Sequence, residues 1–188
     1  MKSSSNASSA TPSTGGVRLR PLSPADRAPI ERILRATGVF RDDEIDVALE
    51  LVDARPEVGY RFVVAELSGA VAGYACFGAT PMTLGTWDLY WIAVDPALHG
   101  RGVGTQLMHA VEDAIRDEGG RLVMIETASK PSYDATRRFY ERHPRCREVA
   151  RVPVAGVCAA APSPPTAYET NSSASIATSD SMYFSSGG

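Results

Sequence analysis

The stretch "TWDLYWIAVDPALHGRGVGTQLMHAVEDAIRD", residues 86 to 117, restricts the fold more than any other part of the chain. Its opening run, "TWDLYWIAV", alternates as a strand, which predicts Asp88, Tyr90, Ile92 and Val94 on one face and Trp87, Leu89, Trp91 and Ala93 on the other. Both faces are largely apolar, so the strand belongs inside a sheet covered on both sides. Directly after it, Val103, Leu107, Val111, Ala114 and Ile115 recur at helical spacing, and Gly119-Gly120 ends the helix. Between the two, Asp95-Pro96 opens a turn, and Gly100, Gly102 and Gly104 crowd the approach to the helix.

The flanking segments supply partners for this pair. "VRLRPL" reads as a strand with Val17 and Leu19 inward, and "SPADRAPIERILRATG" as a helix with Ser23 at the N-cap, Pro24 in the first turn and Gly38 as its stop. "RDDEIDVALELVDARP" repeats that plan, with acids at its start and Ile45, Leu49 and Val52 inward. "YRFVVAEL" and "AVAGYACFG" are strands joined by Ser68-Gly69, a pair suited to a tight hairpin. After the central helix come a strand, "RLVMIET", a short helix, "YDATRRFYERH", and a further strand, "REVARVP". The expected order is β-α-α-β-β-β-α-β-α-β, an α/β (α+β) arrangement on a mixed sheet.

A chain of 188 residues and 20.0 kDa suits one domain. We place it at residues 17–152, between a Ser/Thr/Ala/Gly tail at 1–16 and a low-complexity, disordered segment at 153–188. The formal charge of -3 provides no basic field for a nucleic-acid backbone. No run reaches the ~18 apolar residues of a membrane span, and the N-terminus lacks the apolar core of a signal peptide, so the chain reads as cytoplasmic, with neither nucleic acid nor membrane as partner. Cys76, Cys146 and Cys158 have no metal-binding spacing and leave an odd thiol, so they read as buried or incidental residues and no metal is expected.

Two phosphate motifs can be tested against the glycine segment. A Walker loop needs a lysine before its Ser or Thr, but Thr105 follows Gly104 directly; a dinucleotide fingerprint needs G-x-G-x-x-G, whereas Gly100, Gly102 and Gly104 are spaced G-x-G-x-G. What remains is a run of amides from His99 to Gly104 leading into a helix N-terminus, where unpaired N–H groups and the helix dipole favour an anion. Glycines would let phosphate oxygens approach the backbone, and Arg101 adds a cation at the rim.

With "HGRGVG", "WIAVDPALHGRGVG" and "ATRRFYERH" in that element order, residues 17–152 resemble the GNAT superfamily of acyl-CoA-dependent N-acyltransferases. The family's segment reads Gln or Arg, x, x, Gly, x, Gly or Ala; Gly102 and Gly104 match it, and His99 stands at the Gln/Arg position. The resemblance implies acetyl-CoA as co-substrate. Its pyrophosphate would lie on the amides from Arg101 through Gly102, Val103 and Gly104 to Thr105, with His99 and Gly100 at the rim. The backbone of Ile92, Ala93 and Val94 would pair with the pantetheine arm. Acyl transfer in this family proceeds by direct attack of the amine and needs no protein nucleophile. Tyr140 stands where relatives carry the tyrosine that protonates the CoA sulfur; otherwise it is an aromatic packed under the short helix beside Phe139. Asp88 is a candidate general base or a paired structural carboxylate, and Glu126, at the end of "MIET", is a similar candidate. Tyr133 takes a position that relatives give to asparagine.

The family's sheet ends with two more strands, of which only "REVARVP" is visible, so the final strand is expected to be missing or degenerate. Three sources could fill its place: "SMYF" near the end, a strand donated by a second copy in a homodimer, or none, the ending being altered. The functional expectation is an N-acetyltransferase acting on a small-molecule or peptide amine. The alternatives are a non-catalytic acyl-CoA-binding module and an interaction protein using its sheet edge.

Overall fold

The computed structural model describes residues 16–54, 59–152 and 181–186. Its strands are β1 (Arg18–Arg20), β2 (Tyr60–Leu67), β3 (Ala70–Ala79), β4 (Thr86–Val94), β5 (Leu122–Ala128), β6 (Cys146–Val152) and β7 (Ser181–Ser186). Its α-helices are α1 (Arg27–Thr37), α2 (Asp42–Asp53), α3 (Val103–Asp117) and α4 (Asp134–Arg142). They build one mixed sheet in the order β1-β2-β3-β4-β5-β7-β6.

Local chemistry accounts for most boundaries. The Ser23 hydroxyl accepts from the Ala25 amide, while the Asp26 carboxylate accepts from the Ser23 amide at 2.7 Å, so a capped turn at Pro24–Asp26 feeds into α1. The same Asp26, almost wholly buried, takes Arg20 bidentately at 2.6 and 2.7 Å, which fastens β1 to the start of α1. Gly38 stops α1 in the left-handed conformation at φ 66°. Ser68 and Gly69 both have positive φ, as a two-residue hairpin turn between β2 and β3 requires.

Two apolar layers cover the sheet. On one face α3 and Tyr140 of α4 bury Ala75, Phe77, Trp87, Leu89, Val123 and Ile125. On the other, α1 and α2 bury Val64, Tyr74, Cys76 and Ala93 through Ile30, Ile33, Leu34, Ile45 and Leu49. The strict alternation expected for β4 fails at one residue. Cys76 pairs with Trp91 and Phe77 with Leu89, so Tyr90 is an extra residue, a β-bulge. As a result Ile92 and Val94 join Trp87 and Leu89 on the α3 face, and Tyr90, Trp91 and Ala93 share the α1–α2 face.

The final strand is present. Ser181–Ser186, the segment containing "SMYF", runs antiparallel between β5 and β6, pairing Val123–Ala128 on one side and Cys146–Val152 on the other. Short, weakly patterned strands are stabilised by ladder bonds on both edges, which composition alone does not reveal. Within the segment expected to lack structure, these residues are therefore ordered into the sheet; 153–180, including Cys158, and 187–188 lie outside the described residues. So do residues 1–15 of the N-terminal tail.

Behind α3 and α4 lies a polar cluster that the sequence did not announce. The buried Glu112 of α3 stands 3.6 Å from His143 Nδ1 and 3.5 Å from Arg145, and the exposed His109 ring packs against His143 at 5.5 Å. Cys146 Sγ lies 3.6 Å from the same Nδ1, and no partner meets His143 Nε2 among the described residues. Burial, reinforced by His109 and Arg145 and opposed by Glu112, lowers the His143 pKa below its ordinary 6.5. A histidine that gains protons less readily when folded stabilises the fold above that value, and the contribution is lost as pH falls, because the unfolded chain then binds the extra proton. Urea midpoints are expected to drop from pH 7.5 to pH 5.5, and His143→Gln should flatten that slope; an identical slope in the variant would remove His143 as its source.

Candidate functional site

The site begins where β4 and β5 part. They pair in parallel only from Thr86–Leu122 to Leu89–Ile125. Past that point β4 continues along β3 to Val94, while β5 continues along β7 to Ala128. The parting coincides with the bulge at Tyr90, which adds local twist to β4.

Hydrogen-bond parity settles which way the freed backbone faces. The Asp95 amide donates to Ala72 O at 2.9 Å, so 72 and 95 are a hydrogen-bonded pair, and Gly73–Val94 beside them is not. Two residues back, Ala75–Ile92 is likewise non-bonded, and Tyr74–Ala93 is bonded. The N–H and C=O groups of Ile92 and Val94 therefore point into the gap left by β5, and those of Ala93 point to β3. Of Ile92, Ala93 and Val94, the first and last thus present their polar groups to the gap and Ala93 does not. The exposed His99 ring already lies along this edge, its Nε2 at 3.2 Å from Val94 O.

Beyond β4, Asp95 Oδ1 accepts from the Ala97 amide and a turn of 3-10 helix follows. The His99 amide donates to Pro96 O and the Arg101 amide to Leu98 O, each at 3.3 Å, so these two are engaged within the turn. The first intrahelical bond of α3 runs from Gln106 to Gly102 O, and no side chain caps the helix. The amides of Gly102, Val103, Gly104 and Thr105 are thus the four that a helix start leaves without partners. They sit at the positive end of a 15-residue helix, with the exposed Arg101 beside them and outside any ion pair among the described residues. This arrangement suits a phosphate-type anion.

The glycines earn their places differently than expected. Gly100 and Gly102 have φ of 76° and 79° with open space where a Cβ would sit, so backbone conformation is what requires them. A Cβ on Gly104 would meet the Phe139 ring at 3.3 Å and Val94 Cγ2 at 3.7 Å. The missing side chain at 104 thus lets α3 start close against α4 and β4.

The three candidate acid–base residues divide between the faces. Tyr140 is 3% exposed in the α3-side core, its ring 5.3 Å from Phe139, and burial pushes its phenol well above the usual range, so it stays protonated. Asp88, half-buried, lies on the α1–α2 face and accepts from Thr80 Oγ1 at 2.8 Å. Glu126 is exposed on that same face of β5, one alternation beyond Met124, the register partner of Asp88. Asp88 and Glu126 thus lie on the α1–α2 face of the sheet, and Tyr140 lies in the core on the opposite face.

An aromatic group at the α1–α2 side escaped the sequence reading. Phe40, from the α1–α2 loop, packs edgewise on Trp91 at 5.2 Å and on Tyr133 at 6.5 Å, and the Tyr133 hydroxyl reaches Val39 O at 3.5 Å. Tyr60 and Tyr90 pack edgewise at 5.4 Å, and burial together with nearby Asp88 pushes the Tyr90 phenol up to about 12. Only the bulge, invisible in a period-2 pattern, puts Tyr90 and Trp91 on the same face.

Comparisons with known proteins agree on one family. The family model described as the acetyltransferase (GNAT) family matches residues 28–143. A structure described as an acetyltransferase of the GNAT family from Desulfovibrio desulfuricans is 35% identical, covers 92% of this chain and 99% of its own, and superposes with a TM-score of 0.74. Two more distant structures share the fold. YncA from Salmonella typhimurium, solved with acetyl-CoA, is 23% identical over 92% of this chain and 94% of its own, with a TM-score of 0.64. The PaiA N-acetyltransferase from Thermoplasma acidophilum, in complex with coenzyme A, is 12% identical over 92% and 99%, with a TM-score of 0.63. No curated protein matches the chain significantly.

Because nothing lies within 4 Å of a Cβ at residue 102, Gly102→Ala isolates the backbone requirement. It is expected to cost about 1–2 kcal/mol, the left-handed penalty, in urea unfolding. Wild-type stability in the variant would show that the turn does not need its positive φ.

Proposed function

The chain belongs to the GNAT acetyltransferase family, and from that premise we propose that it is an N-acetyltransferase moving the acetyl group of acetyl-CoA to a primary amine by direct attack. The observation that carries this reading is the gap between β4 and β5, lined by the backbone of Ile92 and Val94 that β5 leaves unpaired and ending at the unpaired amides of α3. The donor suits this set of groups, an extended diamide arm along a strand edge and a pyrophosphate at a helix start. When bound, it supplies an activated thioester carbonyl and a thiolate leaving group.

The chain's own residues divide the remaining work. Gly102, Val103, Gly104 and Thr105 hold the pyrophosphate through their amides, with Arg101, Gly100 and His99 at the rim. Ile92 and Val94 orient the arm; the His99 ring must release Val94 O for that oxygen to accept from it. The acceptor approaches from the α1–α2 face, where Asp88 and Glu126 draw a cationic amine and accept its proton, and the aromatic surfaces of Phe40, Tyr90 and Trp91 exclude water. From the opposite face Tyr140, kept protonated by burial, donates to the departing thiolate. Acceptors are small-molecule or peptide amines. An unfilled strand position would favour a non-catalytic binding module over an enzyme, and β7 occupies that position.

Acetyl-CoA is expected to raise the melting midpoint, since it binds only the folded chain. In a thiol-release assay across a panel of amines, Tyr140→Phe should lower kcat by about 10²-fold, the lower range for a general acid, while keeping the acetyl-CoA-induced shift. Equal kcat would take Tyr140 out of the mechanism, and a midpoint indifferent to acetyl-CoA would overturn the assignment as a whole.

A further inference from the structure

Asp88 stands in a setting that the strand pattern alone does not require. Among the described residues its carboxylate makes one hydrogen bond, accepted by Oδ2 from Thr80 Oγ1 at 2.8 Å, and no ion pair. A half-buried carboxylate without a cation is costly to keep unless it is used. Directly across the hairpin, its register partner on β3 is Gly78, which has no side chain. A Cβ there would meet the Tyr90 ring at 3.2 Å, so the glycine leaves the bulge residue room on this face. The Asp88 charge is close enough to contribute to the raised pKa of the Tyr90 phenol.

Thr80 lies two residues past Gly78, diagonal to Asp88 on the same face of the β3–β4 hairpin. Three hydrogen bonds fix its backbone. The Thr80 amide donates to Thr86 O at 2.9 Å, and Thr80 O accepts from the amide and the hydroxyl of Thr83 at 3.3 and 2.8 Å. The other end of the loop is tied down as well, since the Arg121 and Leu122 amides donate to Gly85 O at 2.8 and 3.1 Å. The hydroxyl is thus offered from a backbone with little freedom, which limits the orientations open to Asp88.

Resting on the acyl-transfer reading above, we infer that Thr80 is a positioning residue for the base of the reaction: its hydroxyl holds Oδ2 of Asp88 and leaves Oδ1 to take the proton of the attacking amine. As the nitrogen of a neutral amine bonds to the acetyl carbon and the C–S bond breaks, one N–H proton passes to Oδ1 and Tyr140 gives one to the sulfur. Exchange with water then restores both residues. A base acts only within reach of the proton it takes, so a carboxylate held in one orientation speeds the attack and adds little to binding of the amine.

The test is a double-mutant cycle on the full chain, followed by thiol release from acetyl-CoA with n-butylamine, ethanolamine or lysine amide as acceptor. Thr80→Val, close in shape but without the hydroxyl, is expected to lower kcat about tenfold, as for one hydrogen bond to a charged group, with the acceptor KM and the acetyl-CoA Kd unchanged. Thr80→Ser, which keeps the oxygen, should restore the rate. In an Asp88→Asn background, itself slower by about 10²-fold, Thr80→Val should have no further effect, because the hydroxyl acts only through the carboxylate. Equal kcat, a change confined to KM, a loss that serine does not restore, or the same loss in the Asp88→Asn background would overturn the inference and leave the acyl-transfer reading standing. Failure of both Thr80→Val and Thr80→Ala to fold would overturn it in favour of a structural role. A wild-type chain that binds acetyl-CoA and acetylates none of the three amines would overturn the reading and the inference together.

Discussion

One extra residue in a central strand organises the functional half of this molecule. Tyr90 bulges from β4 opposite β3, and β4 and β5, parallel neighbours for the preceding residues, separate. In a closed sheet the polar groups of Ile92 and Val94 would be spent on β5. Here they face a gap, and an unpaired strand edge inside a protein asks for a ligand shaped like a strand. The same bulge shifts Tyr90 and Trp91 onto one face, so a single insertion opens the cleft and lines its far side with aromatic rings.

The elements around the gap keep it from closing or fraying. β5 loses β4 past Ile125 but stays paired with β7 on its other edge out to Ala128. α3 starts just past the end of β4, and its approach to α4 depends on Gly104 leaving room for Phe139. Arg137 then ties α4 to the carbonyls at the end of β5. Helix start, strand edge and loop are thereby held in one geometry before any ligand arrives, which limits the entropy lost on binding.

The parts legible in the sequence are those with a strong local signature. Helical spacing, Ser23 with Pro24, Gly38 and the Ser68-Gly69 pair located the early elements, and the turn after Asp95 with its glycines pointed to the helix start that stands free in the structure. What eluded the sequence depends on contacts far apart in the chain. A bulge in β4 is defined by its pairing with β3 and has no pattern of its own. β7 is a short segment with weak alternation, stabilised by neighbours well before it in the chain. His143 meets Glu112, 31 residues before it, only because α3 and the end of α4 pack together. Glycine composition likewise could not tell a residue needed for its φ, such as Gly102, from one needed for its size, such as Gly104.

Amide hydrogen exchange resolved by residue, measured with and without acetyl-CoA, tests the central claim most directly. Ala93, bonded to β3, serves as the internal control for its two neighbours. The expected result is that Ile92 and Val94 exchange rapidly in the free protein, although they lie in a central strand, and become protected when acetyl-CoA is added, while Ala93 is slow throughout. Protection of Ile92 and Val94 as strong as that of Ala93 in the free protein would mean that the edge is closed. Rapid exchange unchanged by saturating acetyl-CoA would mean that the edge is open but not where the donor binds.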